Sequence, residues 1–128
     1  MILDSSALVA VVLDEPERLD LLAKIDDAET VGIGAPTLVE AGVVLAARQG
    51  DAAVDALEAI VAAAGAVVID FGADHWQEAL SAWRRFGRGR HPAALNFGDC
   101  LAYATARVAG EPLLAMGDDF AKTDIELA

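Results

Sequence analysis

The segment MILDSSALVAVVLD, residues 1–14, carries the pattern from which the fold is predicted. A short apolar run ends in Asp4, and a stretch of helical length follows it, rich in aliphatic residues and with two serines at its start. We interpret the segment as a strand that passes directly into a helix. An acid therefore stands at the carboxyl end of the first strand.

The rest of the chain repeats this alternation of strand and helix. Further strands are predicted at residues 30–34, 66–71 and 112–116. Helices are predicted at residues 16–28, 37–50, 51–65, 73–87 and 93–110, with Pro16 at the start of the first of these. The strands are apolar throughout, which is typical of a parallel sheet covered on both faces. We therefore expect one α/β domain over residues 1–128, with a mostly parallel sheet of four to five strands between two layers of helices.

The composition indicates a globular chain, because 55% of its residues are hydrophobic. The longest run of apolar residues and glycine, at 59–69, is well short of the roughly 20 residues needed to cross a bilayer. No basic segment of a secretory signal precedes Asp4, and Cys100 is the single cysteine. We therefore expect a cytoplasmic protein with no membrane association.

The charge is strongly negative, with 9 basic and 21 acidic residues and a formal net charge of −12. Such a surface repels phosphate polyanions. One basic patch opposes this trend, in RRFGRGRHP at residues 84–92. Its members are candidates for phosphate contacts, although a glycine-rich loop after a helix also carries solvated arginines: Arg84, Arg85, Arg88 and Arg90.

Acidic residues recur where a parallel sheet binds ligands, beyond the carboxyl ends of its strands. Asp4 ends the first strand, Asp118 and Asp119 follow the last one, and Asp99 lies in the first turns of the preceding helix. Glu40 shares a helix face with apolar residues, and no arginine or lysine lies within a turn of it. Acids that converge in this way repel one another unless cations neutralise them, and an all-oxygen set favours Mg²⁺ or Mn²⁺.

Each acid also has a purely structural interpretation. Acids in a first turn are favoured by the helix dipole, which accounts for Asp99. Asp4 is a plausible cap for the helix that begins at the serines, and Asp118 and Asp119 fit a polar turn.

Four segments together resemble PIN-domain proteins of the VapC toxin type: MILDSSAL, TLVEAGVVL with Glu40, HPAALNFGDCLAYATA, and LLAMGDDFAKTDI. The resemblance covers nearly the whole chain and implies a single PIN domain over residues 1–128 with a three-layer α/β/α fold. It also implies that Asp4 and Asp99 are ligands of Mg²⁺ or Mn²⁺ and that Glu40 is a further catalytic acid. The resemblance further implies a fourth acid, either Asp118 or Asp119, of which Asp119 aligns better because it precedes Phe120.

By the same resemblance, Ser6 orients a ligand carboxylate or water. The implied activity is that of an endoribonuclease toxin of a type II toxin–antitoxin module, which hydrolyses a structured RNA such as tRNA or rRNA at a loop. The implied partners are the RNA, a cognate VapB-type antitoxin and a second copy of the chain, in a homodimer that forms a heterotetramer or larger assembly with the antitoxin.

Two other functions remain open from the sequence. A receiver-like phosphoacceptor module would use Asp70, at the end of the strand AVVIDF. A catalytically idle protein of the same fold would only hold a partner.

Overall fold

A parallel sheet of four strands organises the chain in the computed structural model, which describes residues 1–128. The strands are β1 (Ile2–Leu3), β2 (Gly32–Gly34), β3 (Val67–Ile69) and β4 (Leu113–Leu114), in the order β3-β2-β1-β4. Each pairing is parallel. The predicted α/β fold is confirmed.

Six helices connect the strands: α1 (Ser5–Val12), α2 (Arg18–Asp26), α3 (Ala35–Gln49), α4 (Asp51–Ala63), α5 (Ala73–Phe86) and α6 (Phe97–Ala109). Gly50 and Gly110 end α3 and α6 with positive φ angles of 78° and 67°, a conformation that glycine adopts without strain. Pro16 does not begin a helix as predicted. It lies in a turn, and α2 begins two residues later with Glu17 as its N-cap.

The helices form a layer on each face of the sheet. Successive residues of a strand point to opposite faces, so Leu3 packs into a core with α1 to α4, whereas Ile2 packs into a second core with α5 and α6. Leu114 and Leu113 divide between the same two cores. The short strands β1 and β4 are thereby buried on both faces, as the apolar pattern predicts.

Strand β3 departs from that pattern. Val67 and Val68 are 65% and 47% exposed, although the sequence predicts a strand covered on both faces. β3 is an edge strand whose main contacts are with β2 and not with a helix, so it remains partly uncovered.

The strand order fixes where a ligand can bind. β1 lies in the middle of the sheet, with β2 on one side and β4 on the other, so the chain connections diverge between β1 and β4. Parallel sheets hold ligands in the crevice beyond such a point. Asp4 follows β1 at this edge, and the turn with Asp118 and Asp119 follows β4. No helix has the length and apolar character to span a membrane.

Candidate active site

Asp4 uses one carboxylate oxygen for the fold and leaves the other without a partner. It is the N-cap of α1, and its Oδ2 accepts hydrogen bonds from the Ser6 backbone N–H at 2.9 Å and the Ser6 hydroxyl at 2.5 Å. Its Oδ1 is buried and accepts nothing. Burial raises the pKa of Asp4, and the hydrogen bonds from Ser6 and Ser5 oppose that shift only in part. The capping interpretation therefore accounts for Oδ2 of Asp4 but not for Oδ1.

Ser6 joins the ends of two neighbouring strands. Its hydroxyl donates to Asp4 and also accepts the backbone N–H of Met116 at 2.9 Å, in the segment after β4. The orientation of the Asp4 carboxylate is thus coupled to the loop that carries Asp118 and Asp119.

Glu40 reaches across from α3 to the start of α6. Its carboxylate lies directly against the backbone of Gly98, and its Oε2 is buried without a hydrogen-bond partner. Burial raises the pKa of Glu40, the charges of Asp4 and Asp99 raise it further, and the Ser5 hydroxyl lowers it. The apolar face of α3 on which Glu40 lies is buried only in part, since Val43 is 64% exposed. The contact with Gly98 of α6 adds to the burial of the Glu40 carboxylate.

Asp99 also serves its own helix. Its Oδ2 accepts the backbone N–H of Asn96 at 2.7 Å, and the Asn96 side-chain oxygen accepts the N–H of Asp99 at 2.9 Å, which forms a reciprocal cap at the start of α6. Burial raises the pKa of Asp99, as do the charges of Asp4 and Asp119, whereas the Asn96 N–H and Arg88 lower it. Asp4, Glu40 and Asp99 therefore form one electrostatically coupled cluster.

The two acids after β4 differ in their relation to this cluster. Both lie in an exposed turn that follows Gly117. The charge of Asp119 acts on Asp99, and its carboxylate also lies 3.8 Å from the Lys122 ammonium. Asp118 is not among the charges that perturb Asp99 or Glu40. Asp119 is the nearer candidate for the fourth acid.

The predicted basic patch does not act as one unit. Arg85 is committed elsewhere: its guanidinium lies 2.7 Å from Asp124 and stacks on the ring of Phe86. Arg88 is the one whose charge acts on Asp99. Arg84 and Arg90 are exposed and form no ion pair.

A receiver-like phosphoacceptor module would depend on Asp70. This residue is exposed beyond the edge strand β3. Its charge is not among those that act on Asp4, Glu40 or Asp99. The structure therefore separates it from the cluster.

Two residues that sequence reasoning did not select have defined roles in the geometry. Gly98 allows the Glu40 carboxylate to approach α6, and an isolated glycine within a helical pattern was the signal that could have identified it. Asp124 accepts hydrogen bonds from Tyr103, Arg85 and Arg107. No local pattern marks Asp124, because its partners lie 17 to 39 residues away.

The cluster suits a hard divalent cation. Two buried carboxylate oxygens, Asp4 Oδ1 and Glu40 Oε2, have no hydrogen-bond partner. No three acidic, histidine or cysteine side chains stand close enough to enclose an ion by themselves. Mg²⁺ does not need such an enclosure, since it keeps several waters and takes only one or two carboxylates. The residues present therefore fit a hydrated Mg²⁺ or Mn²⁺ ion.

Comparisons with known proteins agree on the family and the fold. The family model described as PIN domain matches residues 1–126. Ribonuclease VapC36 of Mycobacterium tuberculosis is 44% identical over 127 residues, which cover 98% of this chain and 91% of that protein. The crystal structure of VapC20 of M. tuberculosis, described as a sarcin–ricin loop cleaving toxin, has a TM-score of 0.80 at 19% identity, with 99% and 97% of the two chains covered.

A second solved structure is similar over almost the same length. It is VapBC2 of Rickettsia felis, bound to a DNA fragment from the promoter of its two proteins. The TM-score is 0.78 at 15% identity, and the match covers 99% of this chain and 96% of the other. At these identities, the two structures establish the fold alone.

Proposed function

The chain belongs to the PIN-domain family, as a ribonuclease toxin of the VapC type, and from this premise we propose that it is a metal-dependent endoribonuclease neutralised by a cognate antitoxin.

The main support for a bound metal ion is a pair of buried carboxylate oxygens without hydrogen-bond partners. They are Asp4 Oδ1 and Glu40 Oε2. Besides burial, which is the largest cause, the charge of Asp4 raises the pKa of both Glu40 and Asp99, and the charge of Asp99 also raises the pKa of Glu40. Burying an unpaired carboxylate costs on the order of several kcal/mol unless a cation compensates its charge. The chain has no lysine or arginine that contacts these two oxygens.

We assign Asp4 and Asp99 as the residues that would hold the ion. Ser6 fixes the Asp4 carboxylate from one side and, through Met116, ties it to the loop after β4. The Asn96 cap holds Asp99 at the start of α6. When bound, Mg²⁺ or Mn²⁺ supplies charge compensation for the phosphodiester and lowers the pKa of a coordinated water.

Glu40 and Asp119 are the acids left for proton transfer. Glu40 Oε2, which is buried and has no hydrogen-bond partner, would accept a proton from the water that attacks phosphorus in line. The bond between phosphorus and the leaving oxygen breaks in the same displacement, and the leaving oxygen would take a proton from solvent. Asp119, more exposed at the rim, would orient that water or the leaving group. Asp118 remains the other candidate for this fourth acid. Its charge is not among those that perturb the pKa of Asp99, whereas the charge of Asp119 is.

The proposed substrate is a loop in a structured RNA, such as tRNA or rRNA. Duplex RNA hides its bases in a deep and narrow groove, whereas loops present both bases and backbone to a protein. The similarity to a toxin that cleaves the sarcin–ricin loop supports this class of substrate. Arg88, beside the cluster, and the unpaired Arg84 and Arg90 are the proposed phosphate contacts, whereas the ion pair with Asp124 withdraws Arg85 from that role.

A VapB-type antitoxin is the proposed protein partner, in a complex built on a homodimer of this chain. The similarity to the toxin of the VapBC2 complex supports this partner. A basic segment of the antitoxin would be drawn to a chain of net charge −12 and to its uncompensated acids.

Cleavage of RNA by the purified chain tests the proposal. A panel of tRNA and rRNA is incubated with Mg²⁺ or Mn²⁺ and, separately, with EDTA, for the wild type and for Asp99→Asn, Glu40→Gln, Asp118→Asn and Asp119→Asn. We expect cleavage by the wild type only with the ion, and a loss of roughly a hundredfold or more in Asp99→Asn and Glu40→Gln, since even residues that only support a metal ligand cost 10–100-fold. Asp119→Asn should lose more activity than Asp118→Asn.

Circular dichroism confirms that each variant is folded before its rate is compared. RNA that survives with every ion, or equal cleavage by the wild type and Asp99→Asn, would overturn the nuclease proposal. In that event the catalytically idle binding protein becomes the better description.

A further inference from the structure

Gly98 occupies an unusual place for a glycine. It is the second residue of α6, between the capping residue Asn96 and the acid Asp99. Its φ angle is not positive, so the backbone conformation does not itself demand glycine. Alanine is the better helix former at such a position. The reason for glycine must therefore be sought in what surrounds its α-carbon.

The surroundings are the carboxylate of Glu40. A Cβ placed on Gly98 would meet Oε1, Oε2 and Cδ of Glu40, all closer than real Cβ atoms approach any neighbour. These atoms are the end of a flexible side chain, so α6 can accept a methyl group if Glu40 turns away. A side chain at position 98 and a Glu40 carboxylate in this place thus exclude each other.

We propose that Gly98 is a positioning residue, which seats the Glu40 carboxylate against the start of α6 and beside Asp99. This inference rests on the proposed function, because it assigns Glu40 a task that depends on its place. In this seat the Glu40 carboxylate lies against the first turn of α6, where the charge of Asp99 acts on it. Gly98 touches neither substrate nor ion and acts only through Glu40.

The first test compares Gly98→Ala with a matched control. Gly42→Ala is also a glycine-to-alanine change within a helix, but its new Cβ would meet only Leu57 Cδ2 at 3.9 Å, an ordinary contact. We expect Gly98→Ala to remain folded and to lose cleavage about 10–100-fold, the range typical of residues that hold the ligands of a metal site in place. Gly42→Ala should cleave RNA at the wild-type rate. Wild-type activity in Gly98→Ala would overturn the inference.

The second test asks whether Gly98 acts through Glu40. In the Glu40→Gln background, which already lacks the carboxylate, Gly98→Ala should cause no further loss of activity. Non-additive effects of this kind are the signature of residues that share one interaction. If the two losses multiply instead, Gly98 acts independently of Glu40 and the inference is wrong.

The third test uses thermal unfolding without metal or RNA, so it does not depend on catalysis. In the Glu40→Ala background nothing opposes the methyl group, and Gly98→Ala should raise Tm by about 3 °C, as expected for a helical glycine-to-alanine change in a chain of this length. In the wild type the same change should give a clearly smaller rise or a fall. Equal shifts in both backgrounds would contradict the proposed contact.

The two proposals can therefore fail separately. A wild-type chain that cleaves no RNA, with the expected difference in the Tm shifts, removes the nuclease proposal and leaves the seating of Glu40 by Gly98 intact. Active wild-type protein with equal Tm shifts removes only the role of Gly98.

Discussion

Asp4 and Asp99 each use a carboxylate oxygen to cap a helix, and this double duty explains why sequence patterns left their roles open. A cap and a metal ligand both require an acid at the junction between a strand and a helix. The structure separates the two roles by atom, because Asp4 Oδ2 accepts two hydrogen bonds while Oδ1 accepts none. The excess oxygen is not needed for folding, which is the physical argument that it serves a ligand.

Only one oxygen of the Asp4 carboxylate serves the fold, so we expect the buried charge of Asp4 to lower the stability of the metal-free protein. Asp4→Asn keeps an N-cap oxygen of equal quality and removes a buried charge, so the variant should be at least as stable as the wild type in EDTA at neutral pH. Asp4→Ala also removes the cap and should be less stable than Asp4→Asn by about 1 kcal/mol. Urea unfolding of the three proteins measures both differences. A marked loss of stability in Asp4→Asn would show that the charge is compensated within the fold.

Among the elements, the segment after β4 is fixed by a polar contact that the sequence does not reveal. Asp124 accepts the Tyr103 hydroxyl at 2.6 Å and the guanidinium groups of Arg85 and Arg107 at 2.7 and 2.8 Å. It thereby ties the end of the chain to α5 and α6. Burial alone would raise the pKa of Asp124, but hydrogen bonds from Tyr103 and Arg85 and the charge of Arg107 outweigh it and lower the pKa to about 2.

The depressed pKa fixes the sign of a pH effect. The folded state binds the Asp124 proton less readily than the unfolded chain, whose ordinary pKa is 3.8, so the contact stabilises the fold above that value. The contribution is lost as the pH falls from about 4 to about 2. Asp124→Asn should therefore lower the free energy of unfolding at pH 7 and converge with the wild type in this acidic range.

The size of that effect is limited by solvent. The Asp124 side chain is 40% exposed, so we expect a loss of roughly 1 kcal/mol at pH 7, the upper end for solvent-screened pairs. Urea unfolding measures it, and Asp14→Asn is the matched control. Asp14 pairs with Arg18 at 3.2 Å but is 81% exposed, and its substitution should change stability very little. Equal effects of the two substitutions would contradict the role of Asp124 as a tie between elements.

At the level of the whole molecule, the sequence predicts what is local and misses what is distant. The three layers, the parallel sheet and the edge on which Asp4 lies follow from the alternation of apolar strands and helices, and the structure confirms the fold. The contact of Glu40 with Gly98 joins residues 58 positions apart (98 − 40), and neither periodicity nor capping rules describe it. The commitment of Arg85 to Asp124 is likewise a tertiary contact, so a cluster of arginines in the sequence is not yet a cluster in space.

The net charge of −12 also acquires a physical meaning at this scale. A strongly acidic chain is a poor partner for RNA unless cations change its local field. The carboxylate oxygens of Asp4 and Glu40 that have no hydrogen-bond partner indicate that the cation is needed at the edge of the sheet where Asp4 follows β1.

Binding of Mn²⁺ by the metal-free protein tests this requirement most directly. Calorimetric titration of Mn²⁺ into the wild type and into Asp4→Asn, both shown to be folded by circular dichroism, compares the cluster with and without its buried charge. The account predicts saturable binding to the wild type that is lost in Asp4→Asn. Equal binding by both proteins, or no saturable binding by the wild type at millimolar Mn²⁺, would contradict it.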